Sequence, residues 1–380
     1  MLNINHADPG RIGHTYWSVG DFKTISKVAA IERAGGDISK VKYHCMDDTW
    51  DRMDITKEPT TPWADLLRMR CWQLRDKYEH IYLLYSGGWD SHTALMAFVD
   101  NNVPLDYIVV YDRTSHIIDH EFDDAIASAK QIIKDHNLKT ELVVYDIPWD
   151  YHAKIYEQAG EDFIYLPGCQ LCFNQTTRIV KHEALDSLLD IKSKHAFGTA
   201  VYIEAIDKPR VNLWEGRWYQ FFIDAAIYPY IGKGGIEMFY YTPDLPDLQL
   251  KQAYMSIRYF EHKINTTPGA TRDLVHQIQG NSVTGLYAEW NQAMGRVCGP
   301  NASARNGLAK PISIKTPWRS EIQKLLKFNQ EYVDNIYEIY RRGLEKAHAV
   351  TGVDVLKDDI PAIISKQYYM RDFVPLGPTL

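Results

Sequence analysis

The stretch YEHIYLLYSGGWDSHTALMAF, residues 78–98, decides how this chain is read. An apolar run from Ile81 to Tyr85 stops at Ser86-Gly87-Gly88. An aromatic, an acid and two hydroxyls follow before the chain turns apolar again. A short apolar run closed by glycines predicts a buried strand, and the segment from Ser91 to Asn102 predicts a helix ended by Asn-Asn. Glycines let a backbone turn tightly and approach a ligand with no Cβ in the way. The first N–H groups of the following helix lack internal partners and carry partial positive charge, which suits phosphate. Ser86 and Ser91 add hydroxyl donors. Asp90 would repel phosphate directly, so it suits Mg²⁺ or a helix cap. A plain strand-to-helix loop capped by Asp90 or Ser91 is the competing explanation.

The pattern on either side extends this unit. Residues 63–78 carry Leu66, Leu67, Met69, Trp72 and Leu74 at helical spacing. PLDYIVVYD (104–112) and KTELVVYDI (139–147) predict strands, with a helix over residues 119–137 between them. A further helix is expected near residues 172–190, before the apolar KHAFGTAVYI (194–203). Strand and helix alternating at short spacing predict an α/β fold, a doubly wound and mainly parallel sheet. Beyond about residue 240 strands become scarce, while 247–263, 271–279 and 318–350 show helical periodicity. The expected organisation is a mixed N-terminal segment (1–60), an α/β domain (61–235) and a helical C-terminal region (236–380). HCMDDTWDRMDITKEPTTP (44–62) is polar and ends in prolines, as a loop or boundary would.

Bulk properties narrow the class. A chain of 380 residues with 45% hydrophobic and 24% charged content has the make-up of a globular protein with two or three cores. Its net charge of −7 gives no footprint for general nucleic-acid binding. Five scattered cysteines suit a reduced compartment better than a disulfide scaffold. No run approaches a membrane span, and residues 1–14 lack a secretory pattern, so the expected location is cytoplasmic, in a host cell if the source is viral.

The string Ser-Gly-Gly-x-Asp-Ser at 86–91 resembles the PP-loop of the N-type ATP pyrophosphatases. These include asparagine synthetases, GMP synthetase, argininosuccinate synthetase, preQ0 synthase, tRNA-thiolation enzymes and the related PAPS reductases. The full-length pattern is also similar to PP-loop proteins of phage genomes. The resemblance implies an adenine-nucleotide α-hydrolase fold over residues 61 to about 230, with ATP and Mg²⁺ as ligands. It implies that Ser86, Gly87, Gly88, Asp90 and Ser91 hold the β- and γ-phosphates and the metal. It also implies that ATP is cut between its α- and β-phosphates, leaving an adenylated oxygen for a nitrogen or sulfur nucleophile. Tyr111, Asp112 and Arg113 are then candidates for the adenine and ribose, or else a solvated strand end. Gly198 and Thr199 match the family's second segment. Glu204 and Asp207 are candidate metal or base carboxylates, or loop acids, and Lys208 and Arg210 are candidate phosphate contacts. Lys251, with Lys233 as rival, would reach the phosphates, or else lies on the surface.

Cys169 and Cys172 stand at Cys-x-x-Cys spacing. The spacing suits sulfur transfer, part of a zinc or iron–sulfur site (with Cys298 and a histidine such as His182 or His195), or simple packing. Three functions follow: an amide-forming ligase supplied with ammonia, either free or from a separate glutaminase; sulfur transfer to tRNA or another nucleic acid; and a sulfonucleotide reductase. A nucleotide-binding module without turnover is the fourth. The chain begins Met1-Leu2 and not with the nucleophilic cysteine of a glutamine-dependent asparagine synthetase.

Overall fold

The computed structural model describes residues 12–112, 120–146, 149–166, 198–206, 209–224, 236–267, 330–355 and 360–375, with isolated positions at 7, 169, 195, 274–276, 279 and 290. Its centre is a five-stranded parallel sheet. In chain order the strands are β4 (His80–Leu84), β5 (Tyr107–Asp112), β6 (Glu141–Asp146), β7 (Ala200–Glu204) and β10 (Ile236–Met238), and their spatial order is β10-β7-β4-β5-β6. Helices α3 (Trp63–Lys77), α4 (Trp89–Asp100) and α5 (His120–Asp135) alternate with them. This is an α/β fold with a helix-flanked parallel sheet, compatible with double winding.

The central strand explains why its sequence is almost wholly apolar. Ile81 and Leu83 enter the main core, while Tyr82 and Leu84 join a second cluster with Val109, Tyr202 and Ile236 on the other face. A parallel strand buried on both faces cannot alternate polar and apolar residues.

Two antiparallel sheets flank this unit. One orders β1 (Thr15–Val19), β2 (Phe22–Thr24) and β3 (Lys42–Cys45) as β2-β1-β3. The other joins β8 (Arg210–Trp214), β9 (Arg217–Phe221) and β11 (Tyr368–Asp372) as β11-β9-β8. Residues 44–62 are therefore not simply a loop: His44 and Cys45 close β3, and Asp47–Trp50 form a short helix, α2. β10, a strand of the central sheet, and β11 both lie within the region expected to be helical (236–380). The β8–β9 turn is Glu215-Gly216, both with positive φ (47° and 72°), as a two-residue hairpin requires. The expected helix at 172–190 lies outside the described residues.

Helix α3 has a different phase from the one its apolar residues suggest. Met69 and Trp72 are exposed, whereas Arg70 is 1% exposed. The Arg70 guanidinium donates to Glu237 at 2.8 Å and to the Phe239 and Met238 carbonyls at 3.1 and 2.8 Å. A buried cation with three acceptors outcompetes two apolar side chains for the inward face.

Two of the helices expected in the C-terminal region are present over the described residues, while residues 318–329 and most of 271–279 lie outside them. The two are α7 (Pro246–Thr266) and α8 (Gln330–Thr351), which follow α1 (Lys27–Arg33) and α6 (Trp149–Ala159) in the described chain. Gly343 lets α8 lie against Phe163, whose ring stacks on Tyr340 at 5.4 Å and meets Tyr156 edge-on at 5.0 Å. A Cβ at 343 would overlap that ring, standing 2.9 Å from both Cδ1 and Cζ. Alanine in place of a helical glycine ordinarily gains about 1 kcal/mol. Here overpacking costs about 1–3 kcal/mol, and the two tyrosines leave the ring little room to yield. Gly343→Ala is therefore expected to lower the melting temperature. A raised one, measured by circular dichroism, would mean that the ring moves aside.

Candidate functional site

The glycine turn sits at the carboxyl end of the central strand. From β4 the chain builds outward to β5 and β6, then returns to place β7 and β10 on the other side. The strand order reverses between β4 and β7, and in open α/β sheets ligands bind beyond the carboxyl ends of the strands at such a point. Leu84 pairs in register with Glu204, so Glu204 ends β7 at the same carboxyl edge, level with Leu84 and two residues short of Ser86.

Within the turn, Gly87 has φ +69°, a conformation L-residues seldom adopt. Gly88 caps α4 with extended φ and ψ, and no side chain caps the helix there. A Cβ on Gly88 would meet Ser86 Oγ at 3.4 Å. Two serines bind the turn together. Ser91 Oγ accepts from the Ser86 N–H at 3.2 Å, lies 3.2 Å from Ser86 Oγ, and donates to the Gly88 carbonyl at 3.2 Å. The Gly88 N–H donates to Ser86 Oγ at 3.3 Å. Ser91 is buried and Ser86 exposed, so one hydroxyl braces the turn and the other faces outward. Asp90 is half-buried in the first turn of α4.

Two aromatic residues hold this turn that the sequence did not single out as site residues. The Tyr240 hydroxyl donates to the Asp90 carbonyl at 2.9 Å, with its ring stacked on Trp63 at 6.4 Å. The Tyr85 hydroxyl lies 3.1 Å from His92 Nδ1 and 2.9 Å from Ser128 Oγ, so His92 belongs to a buried bracing network. The unusual FYYTP segment (239–243) was the available signal for Tyr240.

The other predicted residues divide. Glu204 ends β7 at the same sheet edge as the turn and is 2% exposed. Tyr111 and Asp112 end β5, whose register (Leu84 with Val109) carries them past the same sheet edge. Gly198 and Thr199 do not join. They precede β7, and the Thr199 carbonyl accepts from the N–H groups of Glu79 and His80 at the amino end of β4. At roughly 3.3 Å per residue, β7 holds them about 16 Å from the glycine turn, because a strand has one carboxyl end and these residues lie at the other. His195 is at that amino end too, 2.7 Å from the Tyr82 hydroxyl and stacked on His80 at 3.8 Å.

Lys251 is engaged elsewhere, paired with Glu58 at 2.7 Å and donating to the Pro59 carbonyl at 2.9 Å. Arg210 donates to the Gln279 carbonyl and lies over the Trp290 ring. Cys169 is fully buried. Cys172, Asp207, Lys208, Lys233, Arg113, His182 and Cys298 lie outside the described residues. Among the described residues no three His, Cys, Asp or Glu side chains gather as a metal site. No helix among them is long and apolar enough to cross a membrane.

Compared with models of known protein families and with curated proteins, the chain matches none.

Proposed function

We propose that this protein is an ATP-dependent enzyme that forms AMP and pyrophosphate, adenylating a carbonyl or carboxylate oxygen for attack by a nitrogen nucleophile. One observation carries the reading: a Ser-Gly-Gly-x-Asp-Ser turn at the switch point of a parallel sheet, opening a helix that no side chain caps. The turn suits the β- and γ-phosphates through backbone N–H groups and the exposed Ser86 hydroxyl. Such preorganised donors favour the charge that grows on the departing pyrophosphate. Asp90 and Glu204 are the carboxylates suited to Mg²⁺, which when bound neutralises phosphate charge. Tyr111 and Asp112 are the candidates for adenosine contacts.

The sulfur-transfer alternative needs an accessible thiolate. Full burial of Cys169 favours the amide-forming reading over it.

Product analysis of Mg-ATP turnover, with an extract of small metabolites as acceptor pool, tests the proposal. Wild type is expected to yield AMP and pyrophosphate, and Asp90→Ala to lose at least about 100-fold in rate, the scale seen when one transition-state stabiliser is removed. ADP and phosphate, or binding of ATP without consumption, would sink it.

A further inference from the structure

A chain of hydrogen-bonded polar side chains stands in the N-terminal sheet, apart from the glycine turn. Ser18 Oγ lies 2.8 Å from His44 Nε2, and His44 Nδ1 lies 2.7 Å from Asp47 Oδ2. The other Asp47 oxygen accepts from the Tyr368 hydroxyl at 2.9 Å and the Cys45 N–H at 3.2 Å. Burial works against ionisation of Asp47, but these hydrogen bonds prevail and hold its carboxyl below the usual value. An ionised carboxylate only accepts, so Nδ1 must carry a proton. In the neutral imidazole Nε2 then offers its lone pair to the Ser18 hydroxyl. A nucleophile, a base and a group orienting that base thus stand in sequence, each within hydrogen-bond reach.

The sheet register produces this arrangement. In the β1–β3 ladder Tyr16 pairs with His44 and Ser18 with Lys42, which puts Ser18 diagonal to His44 on one face. Tyr16 stacks on the imidazole at 4.5 Å and 16°, fixing its plane. Met46, at φ 54° and ψ 35°, turns the chain so that Asp47 returns to His44. A left-handed conformation is uncommon for a residue with a Cβ, and such outliers concentrate at functional sites.

Access is graded along the relay. Ser18 is 6% exposed, while the side chains of His44 and Asp47 are 21% and 23% exposed. The base end can exchange protons with water, and the near-complete burial of Ser18 restricts the acyl group to a small one.

We propose that Ser18, His44 and Asp47 form a serine acyl-transfer site for small activated esters. Ser18 Oγ bonds to the acyl carbon as its proton passes to His44 Nε2. The ester C–O bond breaks, and the leaving alcohol takes that proton. Water then attacks the acyl-serine and gives a proton to His44, which returns it to Ser18 Oγ as the carboxylic acid departs. The net reaction is ester plus water to acid plus alcohol. Lys42, opposite Ser18 on the same face, is the cation placed to meet negative charge on the acyl oxygen.

Full-length protein treated with a small alkyl fluorophosphonate, followed by intact-mass and peptide mapping, provides the test. One adduct is expected, on Ser18, together with a burst of p-nitrophenyl acetate hydrolysis that Ser18→Ala abolishes. Labelling should slow at least about 100-fold in His44→Ala, the usual worth of a general base. Asp47→Asn, which keeps the side chain's size, should also slow it and serves if His44→Ala fails to fold by circular dichroism. No adduct on folded wild type, an adduct elsewhere only, or unchanged labelling in a folded His44→Ala or Asp47→Asn would overturn the proposal.

Discussion

Asp224→Ala is expected to lose about 3–5 kcal/mol of stability, the cost of stranding one member of a buried ion pair. Asp224 is fully buried and Lys27 is 1% exposed, with 3.0 Å between carboxylate and ammonium. The same carboxylate accepts from Trp17 Nε1 and from the Ile363 N–H, each at 3.0 Å. Lys27 also donates to the Pro361 carbonyl at 2.8 Å. One acid therefore ties together β1, helix α1, the segment after β9 and the segment before β11. Removing it leaves a cation with a single carbonyl and two donors without their acceptor. Set against a typical total of about 5–15 kcal/mol, this is a large fraction. Urea unfolding should show a midpoint shifted strongly downward. The double variant Lys27→Met/Asp224→Ala should recover much of the loss, because it removes the stranded charge as well. A double variant no better than the single one would mean that the hydrogen bonds to Trp17 and Ile363 carry the effect.

The second large effect is expected at Arg70. Arg70→Met keeps most of the side-chain volume but removes the donor to Glu237 and to two carbonyls. Its expected cost is also about 3–5 kcal/mol. Glu237 supplies a distinct readout. Burial raises its carboxyl, yet the Arg70 charge with hydrogen bonds from Lys77, Tyr78 and Arg70 brings it from the ordinary 4.5 down to about 2. A folded value below the unfolded one stabilises the protein above the unfolded value, so this contribution is complete above about pH 5. It is lost as pH falls from about 4.5 towards about 2. The wild type should lose stability across that window, and Arg70→Met should lose less, since its Glu237 is already less favoured as the anion. Equal slopes in both proteins, from urea titrations at several pH values, would show that Lys77 and Tyr78 alone set the carboxylate.

Much of the architecture was legible in residues 63–147. Local patterns dominate there: apolar strands alternate with amphipathic helices, and one glycine turn closes the first strand. A fully buried parallel strand is apolar throughout, and a helix shows its period whatever it packs against. The hairpins at 15–24 and 210–221 were less visible, because short antiparallel strands carry few residues and borrow their stability from partners far along the chain. β11 pairs with β9 across about 150 residues, a contact that no local pattern encodes.

The strand–turn–helix at 80–100, with Ser86, Gly87, Gly88, Asp90 and Ser91 in it, follows from local sequence, because glycine conformation and hydrogen-bonding hydroxyls act within a few residues. Which distant residues reach that sheet edge depends on how the elements pack. Strand order and register bring Glu204 to the sheet edge that carries Ser86 and send Gly198 and Thr199 to the opposite sheet end. Strand pairing likewise sets Ser18 against His44, and helix packing buries Arg70 while exposing Trp72. Long-range pairing depends on the summed complementarity of whole elements, and no single stretch of sequence carries that sum.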